Sequence, residues 1–179
     1  MGKIIAAIFG LISLVSLAFL IHLYNSQVDL ENDILKEDKQ SFVVITSTTN
    51  QVISLLSIKK EDYKAFEEII KANMVGRNGA DGNQAMMQMV REHNLTPDQS
   101  AIKKMTQIVS SGAEELKMRQ SKLNDMLTAN NKRYDYLVTG YLLKKMDFPK
   151  KDLSHVQLLM SNEALEAKET RILKPINAQ

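Results

Sequence analysis

The stretch VDLENDILKEDKQSFVVITSTTNQVISLLSIKKEDYKAFEEII, residues 28–70, decides the fold. It contains no Gly and no Pro. Positions spaced seven apart from its start read Val28, Leu35, Phe42, Thr49, Leu56, Tyr63 and Ile70, an apolar row with one polar break. The companion row three positions further on reads Glu31, Asp38, Ile45, Val52, Lys59 and Phe66, apolar over only half its length. Such spacing lays one stripe of a helix against a neighbour, and the polar breaks fit a bundle member better than an isolated two-stranded coiled coil. The opposing signal is Phe42-Val43-Val44-Ile45-Thr46, a β-branched run that alone reads as a strand. Helical spacing on both flanks favours a single helix over 25–72, about 70 Å long.

Toward the N-terminus lies IIAAIFGLISLVSLAFLIHL, residues 4–23, without one Asp, Glu, Lys or Arg. At about 1.5 Å per residue it crosses a hydrocarbon layer of about 30 Å, with Ile4, Leu11, Leu14, Leu17, Leu20 and Leu23 among its membrane-spanning positions. A cleavable signal peptide competes with this reading, because Lys3 forms a charged start and Ser16-Leu17-Ala18 has a small-x-small pattern. Apolar residues continue through Phe19, Leu20, Ile21 and Leu23 without a turn former, which favours a retained anchor. Lys3 precedes the span, whereas Asp29, Glu31 and Asp33 follow it before the first basic residue, Lys36. That bias predicts a single-pass protein of the cytoplasmic membrane, N-terminus inside and body on the extracytoplasmic or periplasmic side. Residues 1–24 are therefore expected as anchor and 25–179 as an extracytoplasmic domain.

Toward the C-terminus, Gly76, Gly79 and Gly82 make a continuous helix costly, at about 1 kcal/mol each relative to Ala, and predict a loop. A phosphate-cradling loop would need a following Gly-Lys-Ser/Thr, which is absent. A short helix over 83–93 follows, with Met86, Met87, Met89 and Val90 as its apolar side. Thr96-Pro97-Asp98-Gln99 then reads as a capping box opening a helix over 98–138, about 60 Å long. Its row is Ile102, Val109, Leu116, Leu123, Asn130 and Leu137, with Met105 and Met126 beside it. A single Asn in a packing row commonly fixes register at some cost in stability, and Asn130 is expected to do so together with the breaks at Thr49 and Lys59. Gly140 is expected to end this helix, and a last helix is expected over 162–173, stopped by Pro175. Lys150-Lys151 reads as a solvated loop tip, with contact to anionic headgroups as the alternative that an extracytoplasmic location disfavours. The fold class is thus all-α: a transmembrane helix, then an elongated antiparallel bundle of about four helices. The packing and assembly positions are Leu35, Phe42, Leu56, Tyr63, Leu116, Leu123, Asn130, Tyr134 and Leu137.

The chemistry this sequence lacks narrows its function. With 23 Lys+Arg against 21 Asp+Glu the formal charge is +2, and basic residues are interleaved with acidic ones, so no nucleic-acid surface is expected. There is no Cys, which removes thiol catalysis and thiolate metal sites. The 3 histidines, His22, His93 and His155, stand apart without a two-imidazole spacing, so no metal centre is expected. Glu67-Glu68 and Glu114-Glu115 are adjacent pairs whose members point about 100° apart on a helix, as solvated faces do. Asn94-Leu95-Thr96 matches a glycosylation sequon, but Thr96 has the capping role and Pro97 follows it. No catalytic residue, cofactor or small-molecule substrate is predicted.

In the order of its features the chain resembles the LemA family. A span running into Tyr24-Asn25, followed by Val28 and Leu30, resembles the opening of that family. Asn50-Gln51-Val52 stands where the family has Asn-Leu-Val, Tyr63 and Glu67 where it has a spaced Tyr and Glu, and Glu92 to Pro97 resembles its Glu…Pro turn. Tyr134-Asp135 replaces a Tyr-Asn pair, and Phe148 and Pro175 fit its tail. The family's Arg-Arg and Asp-Leu-Ile-Pro ahead of Asn-Leu-Val are absent, as is the Phe-Pro after its second Tyr-Asn. The resemblance implies a membrane-tethered antiparallel helical bundle, mostly extracytoplasmic in bacteria, without known catalytic residues.

The expected role is that of a non-enzymatic scaffold that touches membrane lipid and self-associates through long helical faces. The competing role is a tethered regulator or sensor of another membrane or envelope protein. A cell-wall hydrolase is disfavoured by the missing acid/base pair, unless folding brings Glu92 and His93 to another carboxylate in a deep pocket.

Overall fold

The computed structural model describes residues 2–76, 82–93, 95, 97–156 and 158–159. Among these the chain is all-helical, with no strand: α1 Gly2–Leu56, a 3-10 turn Lys60–Asp62, α2 Tyr63–Met74, α3 Gly82–Glu92, α4 Gln99–Asp135 and α5 Leu137–Lys145. The β-branched run at 42–46 lies inside α1, where its flanks carry it as helix. α1 passes through Tyr24-Asn25 without a break. The expected last helix over 162–173 and the cap residue Thr96 lie outside the described residues.

The predicted helix over 25–72 is divided in two. α1 stops at Leu56 and Ser57 takes a left-handed φ of 51°. Two backbone hydrogen bonds explain the stop: the Ile58 N–H donates to the Ile53 carbonyl and the Ser57 N–H to the Ser54 carbonyl. This six-to-one plus five-to-two pattern closes a helix end, and it brings the apolar residue after the bend against the last turn. Ile53 and Ile58 are both buried in the same cluster. α5 ends in the same way, with Asp147 at φ 59°, Phe148 N–H donating to Leu143 and Asp147 N–H to Lys144.

Gly140 does not end a helix. The break comes earlier, at Tyr136, whose extended ψ of 134° separates α4 from α5. Gly140 is buried within α5, and a Cβ there would fall on the Tyr134 carbonyl group, so the absence of a side chain is what lets α5 turn close over the end of α4. At the other end of α4, Asp98 accepts hydrogen bonds from the Ala101 N–H at 2.7 Å and the Ser100 hydroxyl at 2.8 Å. These bonds, the Ala101 amide first, hold the Asp98 carboxyl below the usual carboxylate range.

The chain forms two compact units. The larger comprises Asp38–Lys122 with Gln157–Gln179. Its core joins Ile45, Val52, Ile53 and Leu56 of α1 to Phe66 and Ile70 of α2, Met86, Met89 and Val90 of α3, and Met105, Val109 and Leu116 of α4. The Met-rich side of α3 is thus interior, where flexible side chains fill irregular gaps. Gly112 of α4 faces α1: a Cβ there would strike the Thr48 hydroxyl and lie 2.9 Å from its methyl. The smaller unit comprises Met1–Glu37 with Leu123–Val156. Its core is Leu23, Leu143 and Phe148, with Val28, Tyr134, Leu142 and Met146 packed against them.

The α4 row matches the observed burial from Val109 through Leu116, Leu123 and Asn130. In α1 the buried positions Gln27, Ile34 and Ser41 stand one ahead of Val28, Leu35 and Phe42 of the first row, whereas Leu56 of that row and Glu31, Ile45 and Val52 of the companion row are buried. Replacing Leu123, which has 0% of its surface exposed, by Ala should lower stability by about 2–5 kcal/mol, whereas Glu114→Ala on an exposed face should change it little. Denaturant unfolding in detergent measures both, and equal small losses would show that this α4 face is not a core face.

Candidate functional site

The smaller unit holds a buried polar cluster that a helix-to-helix seam seldom contains. Gln27 and Glu31, one turn apart on α1, have no exposed surface, and Asn130 of α4 is nearly as enclosed. Buried polar groups need partners, because an unanswered one loses its hydration without compensation. The partners are present. The Gln27 amide donates to Asn130 Oδ1 at 2.7 Å and to Glu31 Oε1 at 3.3 Å. The other Glu31 oxygen accepts the backbone N–H groups of Lys150 and Lys151 at 2.9 and 3.0 Å. Arg133 donates to the Ser26 carbonyl and hydroxyl at 3.0 Å and to Gln27 Oε1 at 3.2 Å.

Tyr134 closes this cluster. Burial, then the charge of Glu31, push its phenol above the ordinary value, and Gln27 offsets part of that rise. Its buried hydroxyl makes no hydrogen bond of full geometry. Beside it, Tyr24 and Phe148 meet edge to face at 5.3 Å between ring centres.

The larger unit carries an open groove of about 900 Å³, with Phe42, Val43, Leu55 and Ile108 in its walls and Lys39 and Lys104 among its lining. Phe42 and Val43 are exposed, and the Lys71 ammonium stands 5.9 Å from the centre of the Phe42 ring. A second groove of about 610 Å³ is lined by Met74, Leu116, Leu158 and Leu159, where the Leu159 N–H donates to Gln120 at 2.7 Å.

The sequence-predicted positions therefore separate. Leu56, Leu116, Leu123 and Asn130 are buried, and Leu35 and Tyr134 are half-buried. Phe42, Tyr63 and Leu137 are exposed, Leu137 at 90%. Leu23 is buried, whereas Ile4, Leu11, Leu14 and Leu17 are exposed and Leu20 is half-buried. Of the expected register breaks, Asn130 has its partner in Gln27, the Thr49 hydroxyl is buried without one, and Lys59 is exposed outside α1. Sequence reasoning missed Gln27 and Glu31, because a polar residue on a helix reads as a solvated one.

His93 meets a carboxylate, Asp62, at 3.1 Å, and its ring lies 5.5 Å from that of Phe66. Glu92 is exposed and bonded by Gln88 at 2.8 Å, and neither Glu92 nor His93 lines the two grooves above. Among the described residues no group of three or more His, Asp or Glu is placed to hold a metal ion. No protein-family model, curated protein or solved structure matches this chain.

Two measurements probe the polar cluster. Glu31→Gln should cost about 1–3 kcal/mol, because one amide hydrogen then faces a donor, while Asp33→Asn on the exposed side should be near neutral in the same unfolding assay. The raised Tyr134 value means that the folded protein holds the phenol proton to higher pH than the unfolded chain. Stability is then lost as pH rises past the ordinary phenol value of about 10, and Tyr134→Phe should flatten that alkaline loss in thermal unfolding.

Proposed function

We infer that this chain is a membrane-tethered helical protein with a structural, non-enzymatic role, held by residues 4–23 and self-associating through the face around Phe42 and Val43. The distribution of exposed apolar surface carries the reading. Contiguous patches of large apolar side chains mark lipid or partner contacts. Large apolar side chains are exposed along the N-terminal part of α1 from Ile4 to Ile21, and among the described residues the one window long and apolar enough to cross a membrane is unburied. Two further groups of exposed apolar residues are Phe42 with Val43, and Tyr136, Leu137, Val138 and Tyr141.

Lys3 ahead of the span, and Asp29 and Asp33 behind it, support an inside N-terminus with the body outside the cytoplasm. The pairs Gln40 with Arg119 and Thr48 with Gly112 support antiparallel packing of α1 and α4, since the partner number falls as the α1 number rises. This is the architecture implied by the LemA-like order of motifs.

Tethering to one membrane raises the effective concentration of copies, so a groove such as that at Phe42 needs only modest affinity to pair. A photo-crosslinking residue placed at Val43 should give an adduct of twice the chain mass in native membranes, and one at Glu114 should not. Monomer alone would remove the self-association reading. A single heterologous membrane protein on Val43 would replace it with the regulator reading.

A further inference from the structure

We propose that α5 is a second, interfacial membrane anchor: it lies in the headgroup layer at the C-terminal end of the span, its outer face against phospholipid. This deepens the proposed function and rests on residues 4–23 spanning a bilayer.

Contacts within the smaller unit fix the height of α5 along α1. Coming from α4, Asn130 meets Gln27 and Arg133 meets Ser26. α5 follows, and Leu143 shares a core with Leu23. The chain then returns through Phe148, against Leu23 and Tyr24, to Lys150 and Lys151, whose amides reach Glu31. Partners before and after α5 are thus Ser26 to Glu31, whereas the core that α5 and its end join contains Leu23, with Tyr24 against Phe148 and Val28 at its edge. α5 is the point of this excursion closest to the apolar segment, where a span passes from acyl chains into headgroups.

The two faces of α5 differ as an interfacial helix requires. Gly140 and Leu143 face inward and are buried. Leu137 is 90% exposed, and Val138, Tyr141 and the preceding Tyr136 are each above 60%. Left in water, this face is an unusual apolar exposure for a helix of so few residues. Tyr is the side chain that suits the boundary, with an apolar ring and a polar tip. The charge pattern agrees: Lys144 and Lys145 end the helix, the Lys145 ammonium lies 5.8 Å from the centre of the Tyr141 ring, and Lys150 and Lys151 follow in the loop. Lysines beside an apolar face place their stems along it and their ammonium groups among phosphates.

The absence of native Cys makes the test direct, since single Cys substitutions carry a fluorophore at one known place. The full chain is reconstituted into vesicles of mixed zwitterionic and anionic phospholipid. Quenching is compared for lipids spin-labelled near the headgroup and near the acyl end. A probe at Leu14→Cys should be quenched most by the deep label, which tests the span. Probes at Val138→Cys and Tyr141→Cys should be quenched several-fold more by the shallow label than by the deep one. A probe at Lys117→Cys should respond to neither. Quenching at Leu14 with none at Val138 and Tyr141 overturns the α5 proposal and leaves the anchor standing. No quenching at Leu14 overturns both. Protection of Val138 and Tyr141 from aqueous iodide without lipid quenching assigns the face to a second copy and also overturns the proposal.

Discussion

A carboxylate with none of its surface in water has to be answered from inside the protein, and in this chain the answer to Glu31 comes from far along the sequence. Its two oxygens take amides of the loop after α5 and the side chain of Gln27, which in turn reaches Asn130. Removing any one partner leaves another buried polar group with neither protein nor water. The cluster therefore specifies one alignment of α4 and the loop after α5 on this part of α1. An apolar seam would tolerate a slide of one turn, because one Leu packs much like the next. A seam of Gln27, Glu31 and Asn130 does not, since a slide of one turn separates these donors and acceptors from their counterparts. With the loop held at Glu31, Phe148 is placed beside Leu23 and Tyr24, and α5 stands next to the apolar end of α1.

The same cluster explains which parts of the fold were legible in the sequence. In α4 the interior positions are Val109, Leu116 and Leu123, so the apolar spacing and the buried face coincide. In α1 the interior positions after the apolar segment include Gln27, Glu31, Glu37 and Ser41 beside Ile34, while Phe42 and Val43 next to Ser41 are exposed. Apolar spacing then traces a stripe one residue away from the buried one. Nothing in local pattern distinguishes a Glu that water solvates from a Glu that two distant amides hold, because the distinction is made only when those amides arrive.

Helix ends show a second limit. Gly76, with a φ of 75°, closes α2 as the sequence suggests, because a residue without Cβ enters the left-handed region at little cost. Ser57 and Asp147 enter the same region without that advantage, at a cost of roughly 1–2 kcal/mol each. The compensation is the apolar clasp that each bend forms, Ile58 on Ile53 and Phe148 on Leu143, with all four side chains buried. A residue five places after another on a helix normally points elsewhere; the bend is what brings them together. Reading such a stop from sequence means weighing a tertiary contact against local propensity. Conversely Gly140, an evident helix breaker, sits inside α5 because close approach to Tyr134 requires a position with no side chain.

Charge is where chain order and folded position diverge most. Read along the chain, the C-terminal side of the apolar segment is acidic, with Asp29, Glu31 and Asp33 and no Lys before Lys36. Folding withdraws Glu31 from that set by burying it, and brings the loop containing Lys150 and Lys151 to the same turn of α1. The two descriptions bear on different moments. Orientation of a span responds to flanking charges near it in sequence, as the segment enters the bilayer. If the apolar segment spans a bilayer as proposed, headgroup attraction responds to the charges beside it once the chain has folded. On the proposed membrane-tethered reading, an acidic flank in the nascent chain is therefore compatible with lysines beside it in the folded one, because burial of Glu31 removes one acid and its bonds to the loop amides bring Lys150 and Lys151 to that turn.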